Sequence, residues 1–530
     1  MFFTIFSFLA IVIGIWIFAW WKTKNINKRN LEGYFLSGRS LGAIVIAGTM
    51  LMANLSTEQI VGQNGLSYSV GMEVMAWEVI ACFSVLILAL IFLPNYMKHG
   101  VSTIPEFLAI RFDNQFRQLV SFFIQTSYAF ILLPGILYSG SLVFNQLFGV
   151  SEILGISQYQ GVMILGAIIG IVGLSYLLIG GMGISAVSDA IYSVGLLIGG
   201  LTIPIIALYL LGDGEITAGL SKVIETAPHK LNAFGAINSK AVPWPTLMLG
   251  LFFNTMFYWN TNQFIVQKTM AGRSLAEGQK GVIYLAFFKL LGPLFLVFPG
   301  VIAFVMFNGE LPHADGAYPA LVREVLPSWA YGIFGAIIFG TILSTYTAAL
   351  NSVSTLFAYD FYKGLYKPQA REDRVVTIGK VLNIIISIIS IILAPILLNA
   401  PTGIYNFLQE YVGFYNIPLI VIILFGFFNS KVSAKGAKLC FFFHLILYVL
   451  AKITFTDLHF LYIHSVLFFL DIFVIWLSTK YYQRLPAFEF TTNANKVDLT
   501  PWKYRKIAAC FVVLGVISLY LIFSPLGIAV

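Results

Sequence analysis

Four bulky polar side chains lie within or at the edges of apolar stretches, and their chemistry suits recognition of a polyol. They are Gln59, Glu78, Lys289 and Gln409. A carboxylate accepts hydrogen bonds, an ammonium donates them, and each glutamine amide does both. Aromatic residues, whose faces can stack on the apolar face of a sugar, are interleaved with them: Trp77, Tyr258, Trp259 and Tyr405. Each polar residue taken singly could instead form a hydrogen bond between helices.

Lys289 is the most informative of these residues because it lies in the middle of an unbroken apolar run, residues 281–307. A cation at that depth in a bilayer costs about 2.5–3.5 kcal/mol or more, so it serves a function or pairs with a partner. In the structural alternative, Lys289 balances a buried carboxylate such as Glu78 and only holds helices together. Ionisable residues inside membranes usually line a pathway or a site, which favours the functional interpretation.

A second group of residues has the chemistry of a sodium site. Ser344 and Thr345 are adjacent within the apolar stretch 328–360. Hard cations prefer several oxygen ligands. Two hydroxyls, together with carbonyls from a broken helix, would form a neutral site of modest affinity. The ordinary alternative is that these hydroxyls bond to the preceding helical turn or pack against a neighbouring helix.

The composition predicts that membrane-spanning helices carry these residues. The chain has 530 residues, of which 59% are hydrophobic and only 10% charged, and its mean hydropathy is +0.87. A soluble domain carries roughly 25% charged residues. Each span needs about 20 apolar residues, and about 14 such stretches are present. They lie near 3–21, 42–63, 75–97, 115–147, 157–180, 187–211, 243–265, 279–307, 328–360, 375–397, 402–426, 436–453, 459–480 and 505–525.

Two of these spans are interrupted by polar residues, in ANLSTEQIVGQNG (53–65) and FFNTMFYWNTNQ (252–263). They lie five spans apart, as the first helices of two five-helix halves would. Paired interruptions of this kind point to a transporter whose site lies at mid-membrane. A break frees backbone groups, which a cation and a polar solute can satisfy. The alternative is that both stretches are polar helix ends near an interface.

The basic residues predict the orientation of the chain. The first stretch has no basic region before it and no small-residue cleavage site, so we expect an uncleaved anchor with the N-terminus outside. Roughly 24 of the 31 Lys and Arg residues then flank cytoplasmic loops. An even number of spans returns the C-terminus to the outside. The net charge of +8 therefore reflects topology and does not indicate nucleic acid binding. Residue usage favours a bacterial inner (plasma) membrane.

No part of the sequence predicts a soluble or catalytic domain. The longest hydrophilic connections, 212–242 and 479–503, are too short for a nucleotide-binding or sensor module. No GxxxxGK[ST] loop supports ATP-driven pumping. The spans contain no HExxH or GxSxG motif, so an enzyme is not predicted. We expect one transmembrane transporter domain, 1–530, that needs no protein partner.

A series of motifs runs along almost the whole chain: YFLSGRSLG (34–42), ANLSTEQIVG (53–62), TIPEFLAIRF (103–112), FYWNTNQFIVQ (257–267), EGQKGVIYLAFFKLLGP (277–293), LSTYTAALNS (343–352) and FLQEYVGFYNIP (407–418). In this order they resemble the sodium:solute symporter family and, within it, the sodium/glucose cotransporter branch. The resemblance implies an all-α, leucine-transporter-type core of two inverted five-helix repeats. The repeats would lie near 42–211 and 243–426, with extra helices at 3–21 and 436–525.

The resemblance also implies residues for the cation. One sodium ion would be held by three carbonyls and two hydroxyls, those of Met52, Leu55, Thr341, Ser344 and Thr345. Asp189, just inside the sixth span, matches an acid associated in the family with cation release or a second cation. An acid at a cytoplasmic helix start is more ordinarily a cap, and that alternative stays open.

For the solute, the resemblance implies a sugar bound by Gln59, Glu78, Lys289 and Gln409. Tyr258 would be the inner aromatic gate with Trp259 beside it, and Asn54 would lie at the helix break that links the two sites. Thr255 is a further candidate ligand, although sugar-carrying relatives place other polar groups at this position and at Ala81. Gln63 and Trp77 also depart from the pattern, on the expected outer lid.

The implied function is sodium-coupled import of a galactose- or glucose-like hexose by alternating access. A symporter for inositol, sialic acid, a monocarboxylate or an amino acid is the nearest alternative. An anionic solute would sit poorly beside Glu78, which favours a neutral polyol. A sensor or a leak that binds sodium and sugar without coupled flux is the alternative from a different class.

Overall fold

The helices of this protein follow the apolar stretches of its sequence. A computed structural model describes residues 2–399, 411–489 and 497–529, and within these ranges the regular structure is helical, with only isolated β-bridges. Nine of the described helices are long and apolar enough to cross a membrane. They are Phe3–Thr23, Met72–His99, Asn114–Phe148, Gln158–Leu211, Tyr331–Tyr366, Glu372–Leu398, Ala434–Thr454, Phe460–Tyr481 and Arg505–Ile522.

The other predicted spans are bent, broken or short. Two helix pairs satisfy the same criterion together: Ala43–Asn54 with Gln59–Val70, and Leu275–Leu290 with Pro293–Met306. The remaining apolar stretches contain the short helices Phe252–Asn260, Gln263–Met270 and Asn416–Phe428. The chain is therefore an all-α polytopic membrane protein, as the sequence predicts.

Gln158–Leu211 contains two predicted spans in one element. Its 54 residues would extend about 81 Å if straight, against a hydrocarbon core of about 30 Å. Gly181 interrupts the helical backbone, with φ 56° and ψ −153°. The predicted spans 157–180 and 187–211 therefore meet at a glycine kink and not at a loop.

The first predicted interruption is a true break. The helix Ala43–Asn54 ends at Leu55, whose φ of −87° and ψ of 78° are not helical. Ser56 is extended and precedes the helix Thr57–Val70. The two axes are bent by 58°. We call these elements the first broken helix.

The second interruption is also present. The helix Phe252–Asn260 ends at Thr261, and Gln263–Met270 begins after Asn262, whose ψ of 120° is extended. We call these elements the second broken helix. At both breaks, backbone amides and carbonyls lose their helical partners and need others.

Small residues bring neighbouring spans against the first broken helix. A Cβ added at Gly48 would lie 2.8 Å from Cα of Ala190 in Gln158–Leu211. One added at Gly281 would lie 2.7 Å from Cβ of Ile46. Small residues permit such close helix approach inside a bilayer. The polar residues of Ala43–Asn54 are thereby held within reach of side chains on both neighbours.

We predict that Gly181→Ala destabilises the protein by about 1–3 kcal/mol, because a side chain disfavours this left-handed backbone. The added Cβ would also lie 2.5 Å from the backbone oxygen of Tyr34. Thermal unfolding of the purified protein in detergent measures the effect. Gly14→Ala is the matched control, since its Cβ would meet nothing within 4 Å. Equal melting temperatures for the two variants would contradict the strained kink.

Candidate functional site

A polar cavity lies between the two broken helices and the spans beside them. Its volume is about 100 Å³, which is room for several water-sized groups and fits a small solute. Its described lining combines amides, hydroxyls and aromatic rings with one acid and one lysine. These residues are Asn54, Gln59, Trp77, Glu78, Ser127, Tyr128, Ile131, Leu132, Asn254, Thr255, Phe257, Tyr258, Trp259, Asn262, Phe264, Lys289, Thr345, Val412 and Tyr415.

The acid and the lysine form a buried ion pair. Nζ of Lys289 lies 2.5 Å from Oε2 of Glu78, and the two side chains are 1% and 3% exposed. Gln63 donates to the other carboxylate oxygen, Oε1, at 2.9 Å. Both oxygens of Glu78 are therefore bonded, and the charge on each member of the pair is compensated inside the protein.

Lys289 also connects this pair to the first break. Its ammonium donates to Oδ1 of Asn54 at 3.0 Å and lies 4.8 Å from the centroid of the Trp259 ring, a cation–π contact. Asn54 in turn donates to the Tyr258 hydroxyl at 3.3 Å. Lys289 thus fits both interpretations of its sequence position, since it balances Glu78 and also lines the cavity.

Two further predicted ligands also line the cavity. Oε1 of Gln59 is buried and has no hydrogen-bond partner among the described residues. Such an atom costs about 1–3 kcal/mol, which a solute hydroxyl could recover. The Thr255 hydroxyl lies 2.8 Å from that of Ser84 and 2.9 Å from the Phe252 carbonyl oxygen. Gln59 is therefore the better placed of the two to bind a solute.

Aromatic residues form part of the cavity wall. Trp77 lines the cavity and stacks on Phe460, with ring centroids 6.4 Å apart and planes 19° apart. Tyr258 packs edge-on against Trp259 and Phe264. Gln409 and Tyr405 lie outside the described residues.

A second polar wall of the cavity consists of residues that the sequence did not identify as ligands. The Tyr128 hydroxyl bonds to Oδ1 of Asn262, and the Tyr415 hydroxyl donates to Ser127 at 3.0 Å. Asn254 accepts from an amide on the neighbouring span at 2.6 Å. Asn254 and Asn262 belong to the interrupted stretch that drew attention to this region. Ser127 and Tyr128 carry no such signal, because polar residues are common between membrane helices.

Of the predicted sodium ligands, Met52, Thr341 and Thr345 lie together beside the first break. Oγ1 of Thr345 lies 3.3 Å from the Met52 carbonyl oxygen and 3.2 Å from that of Thr341. Oγ of Ser344 is buried and lacks a hydrogen-bond partner among the described residues. Leu55 lies at the break itself. Neutral hydroxyl and carbonyl oxygens from two spans fit a hard cation.

Asp189 lies inside Gln158–Leu211, beyond the kink, and does not cap a helix. Its Oδ2 accepts hydrogen bonds from Thr49 at 2.5 Å and from the Lys268 ammonium at 2.9 Å. All three side chains are buried. Nothing in the sequence pattern singled out Lys268, which lies in the Gln263–Met270 half of the second broken helix.

The paired breaks and the polar cavity define a secondary transporter with the leucine-transporter-type fold. A solved structure described as the substrate-bound outward-open state of a Na+-coupled sialic acid symporter shares this fold, with a TM-score of 0.80. It covers 93% of this chain and 99% of that one at 19% identity. The family model of the sodium:solute symporter family matches residues 34–442. The chain therefore belongs to the sodium:solute symporter family.

Two curated relatives match over most of their length. The Uncharacterized symporter YidK of Escherichia coli (strain K12) is 40% identical over 517 residues, 97% of this chain and 90% of that protein. The Sodium/glucose cotransporter of Vibrio parahaemolyticus is 30% identical over 462 residues, 82% of each chain. Both the family and the apolar helices identify a multi-pass membrane transporter.

We predict that Lys289→Met costs about 3–5 kcal/mol of stability, because it leaves the Glu78 carboxylate buried without a counter-charge. The double variant Glu78→Gln/Lys289→Met should recover most of that loss, since neither charge then remains. Thermal unfolding without added solute compares the two variants with the wild type. If the double variant were no more stable than the single one, the pair would not be the source of the effect.

Proposed function

We propose that this protein is a sodium-coupled secondary active symporter that imports a neutral monosaccharide, a galactose- or glucose-like hexose, by alternating access. The observation that carries the proposal is the polar cavity in which, among the described residues, one acid and one lysine compensate each other. Family membership supports the transport class. The similarity to a sodium/glucose cotransporter supports the sugar.

The charge balance of the cavity favours a neutral solute. A solute carboxylate would draw the Lys289 ammonium from Glu78 and leave that buried acid uncompensated, at a cost of about 3–5 kcal/mol. A solute ammonium would compete with Lys289 for Glu78 at a similar cost. Hydroxyl groups need no counter-charge, and each can both donate and accept. A polyol is therefore the solute class that this lining serves best.

We assign the solute contacts by the chemistry of each side chain. Gln59 and Glu78 accept from sugar hydroxyls, and Lys289 donates to them. Thr255 supplies a hydroxyl at the cavity wall, and Trp259 offers a ring face. Tyr258 separates the cavity from the inner side as an aromatic gate. Asn54, at the end of Ala43–Asn54, connects the break to Lys289 and so links the proposed cation site to the solute site. Gln409 is a further proposed solute ligand.

The cation is proposed to bind where the first broken helix meets the span Tyr331–Leu356. Its ligands would be the carbonyls of Met52, Leu55 and Thr341 with the hydroxyls of Ser344 and Thr345. The ion would fix Met52 against Thr345, and the same break holds Asn54 against Lys289. Sodium would thereby order the solute site, and the solute would raise sodium affinity by the same factor.

The energetics permit one sodium per sugar. One charge moving down ~100 mV releases about 2.3 kcal/mol, and a tenfold concentration ratio adds ~1.4 kcal/mol. Together, ~3.7 kcal/mol supports roughly several-hundredfold accumulation. When internal sodium is low, the cation site empties, the break loses its bridge and the solute leaves.

The proposed topology follows the same family pattern. The inverted repeats lie near 42–211 and 243–426, so each broken helix is the first helix of its repeat. The extra helices lie at 3–21 and 436–525. The distribution of basic residues favours termini outside a bacterial inner membrane.

A symporter for another neutral polyol, such as an inositol, is the second candidate. The mutual compensation of Glu78 and Lys289 favours it equally, because the ring hydroxyls of a cyclitol present the same chemistry as those of a hexose. A sensor or a leak would bind both ligands without coupled flux.

We predict that Ser344→Ala raises the sodium concentration needed for half-maximal uptake about tenfold, since a lost cation ligand is worth ~1.4 kcal/mol or more. Uptake of labelled galactose and glucose into proteoliposomes, driven by sodium against potassium, measures this. Ser354→Ala is the matched control, because that hydroxyl bonds to the Asn351 carbonyl oxygen within its own helix. An equal loss of uptake at every sodium concentration would argue against a cation ligand.

We also predict that neutral polyols compete for uptake and that carboxylated sugars do not. Unlabelled galactose, glucose and myo-inositol should inhibit the uptake of labelled galactose or glucose. Sialic acid should not inhibit it, because its carboxylate would displace Lys289 from Glu78. Competition by sialic acid at similar concentrations would refute the charge argument. Accumulation of a solute without any response to a sodium gradient would favour a leak.

A further inference from the structure

We infer that His444 and Asp471 share one buried proton, and that this pair positions a turn in the wall of the proposed solute cavity. The inference rests on the proposed function and extends its site to two helices outside the proposed repeats, Ala434–Thr454 and Phe460–Tyr481. His444 lies on the first of these helices and Asp471 on the second. Both side chains are fully buried.

The turn has a backbone carbonyl that lacks its helical partner. Gly413–Tyr415 forms this turn, and the helix Asn416–Phe428 follows it directly. In a continuous helix the Ile417 amide would donate to the Gly413 carbonyl oxygen. Here it donates instead to Oδ1 of Asn416 at 2.6 Å. A carbonyl freed in this way inside a bilayer needs another donor.

His444 supplies that donor. Its Nε2 lies 3.1 Å from the Gly413 carbonyl oxygen, and its Nδ1 lies 2.7 Å from Oδ2 of Asp471. A carbonyl oxygen only accepts, so Nε2 carries a hydrogen. A neutral imidazole has no second N–H, and its Nδ1 lone pair would then face an ionised carboxylate at hydrogen-bond distance. A hydrogen therefore lies between Nδ1 and Oδ2, and the pair holds one proton more than a neutral histidine beside an ionised aspartate.

Burial retains this proton. With it, the two side chains together carry no net charge, which suits their complete burial. Without it, an uncompensated negative charge would remain inside the protein, which is strongly unfavourable. In the part of the chain that the structure describes, Oδ1 of Asp471 has no hydrogen-bond partner, so the acid depends on His444 for its compensation. The pair thus links Phe460–Tyr481 to the turn without placing a net charge in the membrane.

The turn belongs to the cavity wall. Val412, directly before it, and Tyr415, its last residue, both line the cavity. The Tyr415 hydroxyl donates to Ser127, another lining residue, at 3.0 Å. A shift of the turn would therefore displace groups that face the solute. His444 is not among the described lining residues, so it is a positioning residue that acts through the turn.

Transport kinetics with matched variants test the positioning role. His444→Phe removes the donor to the turn and should raise the KM for labelled galactose or glucose about tenfold at saturating sodium, with the maximal rate near that of the wild type. His444→Gln should keep a KM near the wild-type value, because its amide donates to the carbonyl while its oxygen accepts from protonated Asp471. His464→Phe is the matched control, since that buried imidazole has no hydrogen-bond partner among the described residues. Equal KM values for His444→Phe and His464→Phe would overturn the positioning role. If His444→Phe does not fold, His444→Met with His464→Met as its control gives the same comparison.

Spectroscopy tests the shared proton without transport. Nitrogen NMR of protein with isotope-labelled histidine, in which His444→Gln identifies the His444 signals, should show a protonated Nε2. The wild type should also show either a protonated Nδ1 or an infrared band of a protonated carboxyl that Asp471→Asn lacks. In Asp471→Asn the new amide donates to Nδ1, so a neutral imidazole makes both bonds and the KM should stay near that of the wild type. An Nε2 without hydrogen, or a neutral His444 beside an ionised Asp471, would overturn the inference. Absence of sodium-driven uptake of galactose, glucose and myo-inositol by the wild type would overturn the proposed function, and the spectra would still decide the pair.

Discussion

The bilayer's intolerance of unsatisfied backbone groups is the constraint on which the rest of this structure depends. A helix can break in the hydrocarbon core only where protein, water or a ligand satisfies the freed amides and carbonyls. The breaks at Leu55–Ser56 and Thr261–Asn262 face a shared polar interior. The Met52 carbonyl already has the Thr345 hydroxyl beside it. The proposed cation at the first break would therefore extend a contact that the fold provides.

Two buried ammonium groups tie the first broken helix to neighbouring helices. Lys289 joins Glu78 to Asn54 at the end of Ala43–Asn54. Lys268, on the second broken helix, joins Asp189 to Thr49 on the same Ala43–Asn54 segment. Each lysine is compensated by one acid and anchored by one neutral side chain. The segment Ala43–Asn54 is thus held by buried charged groups both at Thr49 and at Asn54.

Much of this fold could be predicted from the sequence because each membrane-spanning helix requires an apolar stretch of about 20 residues. The two interrupted spans were also predicted, since polar residues such as Asn54 and Asn262 stand out against an apolar background. The pairing of Lys268 with Asp189 could not be predicted, because its partners come from separate parts of the chain and Lys268 resembles an ordinary loop-flanking cation. The fusion of spans at Gly181 was missed for a related reason: sequence shows the gap in hydropathy but not the φ of a single glycine.

Compensated charge underlies the proposed preference of this cavity for a neutral solute. The cavity's hydrogen-bonding groups are fixed by the breaks, whereas its charge preference depends on whether an acid and a base neutralise each other within reach of the solute. Here Gln63 and Lys289 each bond to one oxygen of Glu78, so the acid is a compensated hydrogen-bond acceptor and not a free charge. Replacing Lys289 by a neutral residue would leave the Glu78 carboxylate uncompensated and make the same pocket charged. The proposed preference for a neutral solute therefore depends on the neighbours of Glu78 as much as on Glu78 itself.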